Sequence, residues 1–417
     1  MKVLHICTAD NSGGAAKAAY RLVQGLRQAG VDSYMLVGQK TESTDGKVDT
    51  IPNTNTTLNR IFVKLISQAE KLTGLQYLLE PWGNRFLEHP FFKGADVVHF
   101  HNLHSDFFPL TLAQKVARAK PVVWTFHDLW PMTGHCTYPD MYACDKFVTG
   151  CHHCPHLEDY PEIRIDTTRL LFSLKEKQYL PGNIRKVIAP SEWMKKVALQ
   201  SRIFRKHEII RVPYGVDTHT YKPLDRAGLR TYFDIAPDEK VILFSAPDLN
   251  SERKGGALLL KALELVARDW PQEKKKIVLL GVGRRGRFSL NIPGCRFVST
   301  GMIDNDRLIA HFLNIADLYV HPAIADNLPN AVLEALACGT PVVAFNVGGV
   351  PDMVRPGVTG YLAKEKDVAD LARGIKGLLK DDQMRSDMGD TCRRVAETEY
   401  TLEIQARRMM EIYQEVL

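Results

Sequence analysis

The densest run of chemistry-bearing residues is D-N-L-P-N-A-V-L-E-A-L-A-C-G-T-P-V-V-A-F, from Asp326 to Phe345. Pro329 and Asn330 open a predicted helix whose core face is Val332, Leu333, Leu336 and Ala337, and Gly339 with Pro341 closes it before a strand. Asp326 precedes that helix and Glu334 falls in its early turns, so two carboxylates flank an end whose backbone N–H groups point outward. Such an end attracts phosphate. A nucleotide sugar reconciles acids with an anion site, because its phosphates take amides while its ribose and hexose hydroxyls donate to carboxylates. Taken singly, Glu334 would only complement the helix dipole and Asp326 would only cap the helix. The strand and the turn that follow, with Gly348 beside Gly349, favour the ligand reading, since paired glycines let a ligand approach the backbone.

Three further groups stand out. Arg253 and Lys254 precede Gly255 and Gly256 at the opening of another helix, where a cation plus amides suits a diphosphate; an ordinary solvated pair is the plain alternative. His127 and Asp128 end the strand W-T-F-H-D, at the edge where open parallel sheets place ligands, and His101 and Asn102 end D-V-V-H-F-H-N. Cys136, Cys144, Cys151 and Cys154 follow C-x7-C-x6-C-x2-C, a spacing that can enclose a tetrahedral zinc. Four cysteine ligands leave no open position, so such a zinc would be structural. Free thiols or two disulfides are the alternative.

Strands and helices must position these groups. K-V-L-H-I-C, Gly13-Gly14 and A-A-K-A-A-Y-R-L-V-Q-G-L read as strand, glycine turn and helix, and the alternation recurs through D-V-V-H-F-H-N, P-V-V-W-T-F-H-D and R-K-V-I-A-P-S. It restarts after V-P-Y-G-V-D with K-V-I-L-F-S-A-P, K-K-I-V-L-L-G-V-G, D-L-Y-V-H-P-A and T-P-V-V-A-F. Repeated alternation implies an α/β chain with parallel sheets covered on both faces. We expect an N-terminal domain over 1–212 with a cysteine-rich insertion at about 132–157, a second domain over 213–396, and an amphipathic last helix over 397–417. The segment from Asn59 to Phe92 breaks the alternation. It mixes Ile61, Phe62, Leu65 and Leu72 with Arg60, Lys64 and Lys71, as an interfacial helix does, or a helix packed on its own domain.

At 417 residues and 45 % hydrophobic content the chain is long enough for two cores. A net charge of +6 is too mild for a dedicated nucleic-acid binder, but suits a phosphate-bearing substrate or an anionic membrane surface. The N-terminus lacks the features of a secretory signal and no apolar run reaches bilayer-crossing length, so a cytoplasmic protein, with contact at the cytoplasmic face of a membrane, is expected.

With those residues in view, the chain resembles glycosyltransferase family 4. The family's E-x7-E followed by A-x-G-x-P-V-V is matched by Asp326-x7-Glu334 with Ala337, Gly339, Pro341, Val342 and Val343, and the likeness extends to the Gly13-Gly14 turn, the P-Y-G-V-D linker and a last helix, 397–417, that in the family returns to the N-terminal domain. The resemblance implies a GT-B fold, two Rossmann-like parallel-sheet domains facing a cleft, and a retaining hexosyl transfer that needs no metal or other cofactor. The donor would be a nucleotide-diphosphate sugar and the acceptor a carbohydrate or lipid-linked saccharide, in surface polysaccharide or glycan synthesis.

By the same resemblance, Glu334 holds the ribose, Asp326 with the amides of Asn327 and Leu328 holds the donor sugar, and Lys254, with Arg253, meets the diphosphate. The backbone at Met302 and Ile303 meets the base, Gly14 approaches the phosphates, and His127 touches the transferred sugar; His101, Asn102 and Asp128 are expected on the acceptor side. The chain departs from the family in having Asp326 for the first glutamate and Ala246-Pro247 where an arginine is common. Those departures keep a non-catalytic nucleotide-sugar-binding scaffold in view, and a nucleotide-sugar epimerase of the same fold is a second rival because fold alone does not fix reaction.

Overall fold

Buried parallel sheets need apolar side chains on both faces, and the short β-branched runs supply them. The computed structural model describes residues 1–41, 44–51, 57–268, 270 and 276–417. The first sheet contains β1 (Lys2–Ala9), β2 (Asp32–Gln39), β3 (Val48–Thr50), β4 (Val97–Phe100), β5 (Val122–Thr125), β6 (Lys186–Ala189) and β7 (Ile209–Arg211), in the order β3-β2-β1-β4-β5-β6-β7. The second contains β8 (Lys240–Asp248), β9 (Ile277–Arg284), β10 (Cys295–Gly301), β11 (Leu318–His321), β12 (Val342–Phe345) and β13 (Gly360–Ala363), in the order β10-β9-β8-β11-β12-β13. Every pairing in both is parallel. These are two Rossmann-like domains of doubly wound type.

The chain divides into a unit of Met1–Tyr214 with Glu403–Leu417 and a unit of Gly215–Leu402. In the first, period-two alternation sends Leu4, Ile6, Val98, Phe100, Val122 and Trp124 into an aromatic-rich core on one face. Val3, Val97 and Val123 go to the other face, against Ala406, Met409, Ile412 and Tyr413 of the last helix, Leu402–Val416. Burying Met409 and Ile412 stabilises by about 1.5–3 kcal/mol each, which anchors the C-terminus on the first sheet.

The helix Thr57–Thr73 has two apolar faces rather than one. Val63 and Ile66 pack on the core and Glu70 is buried, whereas Leu58, Ile61, Phe62, Leu65 and Leu72 are exposed. Among the described residues no helix is long and apolar enough to cross a membrane.

Candidate active site

Two loops at the C-terminal ends of β8 and β11 build the charged centre of the second unit. Gly255 has φ +72°, and a Cβ there would fall 1.8 Å from the Pro322 carbonyl oxygen, so only glycine lets the Arg253–Gly256 turn lie against the 322–326 loop. The loops are then tied twice. Ile324 N–H donates to the Arg253 carbonyl at 2.9 Å, and the Arg253 guanidinium donates to the Ala325 carbonyl at 2.9 Å.

The clamp delivers Lys254 Nζ to within 2.6 Å of Asp326 Oδ2, with Arg253 3.8 Å from Oδ1 and His321 Nε2 3.2 Å from Oδ2. Burial alone would raise the Asp326 pKa, but Lys254, His321 and Arg253 together outweigh it and hold the carboxyl well below its ordinary value. Burial lowers the Lys254 pKa, with Asp326 opposing. Asp326 is therefore an anion held by cations in a nearly dry site.

The Gly348-Gly349 turn serves Asp326 itself. A Cβ on Gly348, at φ +51°, would lie 1.8 Å from the Asp326 carbonyl oxygen, and Gly349 N–H donates to that oxygen at 3.2 Å. The close approach that the paired glycines predicted is to the chain's own backbone. Asn327 and Leu328 are buried beside Asp326, and the Asn327 amide donates to Asp326 Oδ1 at 3.1 Å. Glu334, 6 % exposed, lies in the second turn of the helix Asn330–Ala337. Met302 and Ile303 follow the end of β10, Met302 being 52 % exposed.

In the first unit Gly14 is exposed at the start of the helix Gly14–Gln28, behind Gly13 at φ +87°. His127, His101 and Asp128 are all buried. Register explains their company. His5 pairs with His99 across β1 and β4, so His5, His99, His101 and His127 lie on one face of the sheet, beyond the valines that meet the last helix. His5 Nδ1 lies 3.1 Å from His101 Nε2, His101 Nδ1 lies 2.9 Å from His127 Nε2, and His127 Nδ1 lies 2.6 Å from the Tyr214 hydroxyl.

Burial pushes His5 down to about 3 and His127 down to about 4, and holds His101 well below its ordinary value, so all three are neutral at pH 7. Each ring then has one N–H. His5 Nε2 is buried without a partner. A buried lone pair costs less there than an orphaned N–H, which assigns the donors in the sense His5 to His101 to His127 to Tyr214.

Asp128 is an organiser: it accepts from the Trp130 amide (2.9 Å) and the Asn102 amide group (3.2 Å), and His104 Nε2 lies 3.1 Å from it. His5, His104, Tyr214 and His321 were not singled out from sequence. His5 and His99 carried a signal, however, since they fall at the same period-two phase as Val3 and Val97.

The four cysteines and His135 line one cavity of about 20 Å³. Gly134 N–H donates to Cys151 Sγ at 3.2 Å, and His135 Nε2 lies 3.4 Å from Cys154 Sγ. Burial pushes the Cys151 thiol up to about 11. The donor set suits zinc, but the sulfurs are splayed. Among the described residues the ligand atoms that gather in threes within 4.8 Å belong to His5–His99–His101 and Glu70–Glu80–Asp106, whereas a tetrahedral site needs sulfurs about 3.8 Å apart.

Two parallel, doubly wound Rossmann-like domains are the components of a GT-B fold, and the family patterns that match the chain add glycosyl transfer as its activity. The pattern of Glycosyltransferase Family 4 matches residues 12–220, half of the chain, and that of Glycosyl transferases group 1 matches residues 232–395. The chain belongs to glycosyltransferase family 4. It is 25 % identical over 392 residues, 89 % of its length and 90 % of the relative's, to the Escherichia coli (strain K12) protein WcaC, named for glycosyl transfer in colanic acid biosynthesis. It is 32 % identical over 197 residues, 42 % of the chain and 43 % of the relative, to D-inositol 3-phosphate glycosyltransferase 2 of Catenulispora acidiphila. Among solved structures, Anabaena Alr3699/HepE in complex with UDP and glucose superposes with a TM-score of 0.66 at 18 % identity, over 100 % of both chains.

Proposed function

We propose that this glycosyltransferase moves a hexose, with retention, from a nucleotide-diphosphate sugar to a saccharide or lipid-linked saccharide in surface-polysaccharide or glycan synthesis. The observation that carries the reading is the part-buried Lys254–Asp326 pair, set by two clamped loops at the strand ends, with Glu334 eight residues on in the helix Asn330–Ala337. Glu334 accepts from the ribose, Asp326 and the amides of Asn327 and Leu328 hold the donor sugar, and the backbone of Met302 and Ile303 meets the base. Arg253 and Lys254 face the diphosphate, and Gly14 brings its amide to the phosphates. On donor binding Lys254 turns part of its hydrogen bonding from Asp326 to phosphate oxygens.

In the transfer the bond between the anomeric carbon and the diphosphate oxygen breaks as the acceptor hydroxyl forms a new one on the same face. The hydroxyl proton goes to the departing diphosphate. Lys254 and backbone amides stabilise the charge that develops there, so the step requires no metal. His127 contacts the transferred sugar, and His101, Asn102 and Asp128 shape the acceptor side. UDP and UDP-glucose bound to the Anabaena relative, and the colanic acid assignment of the Escherichia coli one, support a nucleotide-sugar donor and a polysaccharide product.

A thermal-shift panel of nucleoside diphosphates and their sugars tests the reading. At least one ligand is expected to raise Tm, with the rise diminished in Lys254→Ala and Glu334→Ala. A panel without any shift would overturn it, and donor consumed without acceptor would indicate epimerisation instead.

The exposed stripe Leu58, Ile61, Phe62, Leu65 and Leu72, beside Arg60 and Lys64, supports docking on an anionic bilayer at the cytoplasmic face. Cosedimentation with vesicles containing phosphatidylglycerol is expected, and is expected to drop at least tenfold in Ile61→Asp/Leu65→Asp. Equal binding by that variant would remove the helix from the interface.

The four-cysteine donor set, rather than the spacing of its sulfurs, supports a structural zinc. Binding would draw the four sulfurs together, while Lys175, held by the Trp130 and Thr133 carbonyls at 2.6 and 3.1 Å, offsets the negative tetrathiolate. Elemental analysis is expected to find one zinc per chain, absent in Cys151→Ser/Cys154→Ser. Zinc-free protein from zinc-replete cells would dismiss the site.

A further inference from the structure

The first unit gathers an acidic group of its own. Glu70, near the end of the helix Thr57–Thr73, Glu80, in the loop that follows, and Asp106, in the loop after β4, each bring a carboxylate oxygen within 4.8 Å of the other two. Glu70 and Glu80 are 2 % and 6 % exposed. Leu79 N–H donates to Glu70 Oε1 at 2.7 Å, and the Ser67 hydroxyl donates to Asp106. Glu70 Oε2 and both oxygens of Glu80 are buried without any hydrogen-bond partner. Among the described residues no lysine or arginine pairs with any of the three.

Burying carboxylates unpaired is costly, so the cluster must be neutralised by protons or by a cation. A shared proton would draw two carboxyl oxygens to about 2.5–2.7 Å. Glu80 has no such partner. Oxygens on a common hard cation stand apart instead, because metal–oxygen distances of about 2.3–2.6 Å put opposite ligands up to about 5 Å from each other. The three carboxylates, within 4.8 Å of one another, lie inside the separation that a common cation allows.

We propose that Glu70, Glu80 and Asp106 form a calcium site. Both oxygens of Glu80, Oε2 of Glu70 and the partly exposed Asp106 carboxylate supply the protein ligands, and water entering beside Asp106 completes the shell. Magnesium fits less well, because it dehydrates reluctantly and a cluster this enclosed leaves little room for its waters. Calcium would tie the helix Thr57–Thr73 to the loops that follow it and β4. The site supplies no group to the sugar transfer, and it stands or falls independently of the donor assignment.

The test uses the full chain, stripped with EDTA and exchanged into metal-free buffer. Calcium chloride at 1 mM is expected to raise Tm by about 5 °C or more, with one ion bound per chain by calorimetric titration and a smaller rise from magnesium. Glu80→Gln and Glu70→Gln are expected to lose the rise, while melting no lower than stripped wild-type protein, since an amide relieves the repulsion. Glu88→Gln, at an exposed position, keeps it. The absence of any calcium effect, a larger response to magnesium, or an undiminished calcium shift in Glu80→Gln would each overturn the proposal.

Discussion

Lys254→Ala is expected to lower kcat by about 10²–10³-fold, the loss that follows removal of one preorganised donor from a developing oxyanion. The same substitution takes away the cation 2.6 Å from Asp326 and leaves a buried carboxylate with Arg253 at 3.8 Å and His321 at 3.2 Å. Breaking a buried pair from one side costs about 3–5 kcal/mol. Lys254→Ala should therefore unfold at lower denaturant than wild type, and Lys254→Ala/Asp326→Asn should recover much of that stability while remaining inactive. Steady-state kinetics beside urea titrations separate the two losses. A double variant that regains turnover would show that Lys254 supports Asp326 and does not face the leaving group.

Acid lability is the second large expectation. Unfolded histidine titrates near 6.5, whereas burial takes His127 to about 4 and His5 to about 3 in the folded chain. Between those values the unfolded state binds protons that the folded state refuses, so stability rises with pH across that window and is lost as pH falls through it. Each such histidine contributes a slope of about 1.4 kcal/mol per pH unit. Glu70, which burial pushes up to about 7, works in the opposite sense, so the informative measurement is a difference. His5→Gln keeps an N–H for His101 and does not titrate. Its unfolding free energy should fall less steeply from pH 6.5 to 4.5, by about 1.4 kcal/mol per unit. Identical slopes would mean that His5 already carries its proton in the native state.

Much of the fold was written locally. Short β-branched runs alternating with amphipathic segments named the parallel sheets, because residue period and turn chemistry act over a few neighbours. The 326-to-334 spacing is local in the same way, with Glu334 carried on the helix Asn330–Ala337. The helix Thr57–Thr73 was less legible. Its sequence could place an apolar stripe outward or inward, and only packing showed that Val63 and Ile66 turn in while Leu58, Ile61 and Leu65 stay out.

By itself the sequence determined two α/β repeats, the acid spacing and the basic pair before the glycines, all consequences of short-range backbone preference. Tertiary structure alone decided that Lys254 meets an acid 72 positions away, that Gly348 makes room for the Asp326 carbonyl, and that His5 reaches His101 across 96 residues. It also decided that the carboxylates of Glu70, Glu80 and Asp106 gather within 4.8 Å of one another. Such meetings depend on which non-consecutive strands become neighbours and in what register. Crossover connections and core packing set both, and no local window of sequence encodes them.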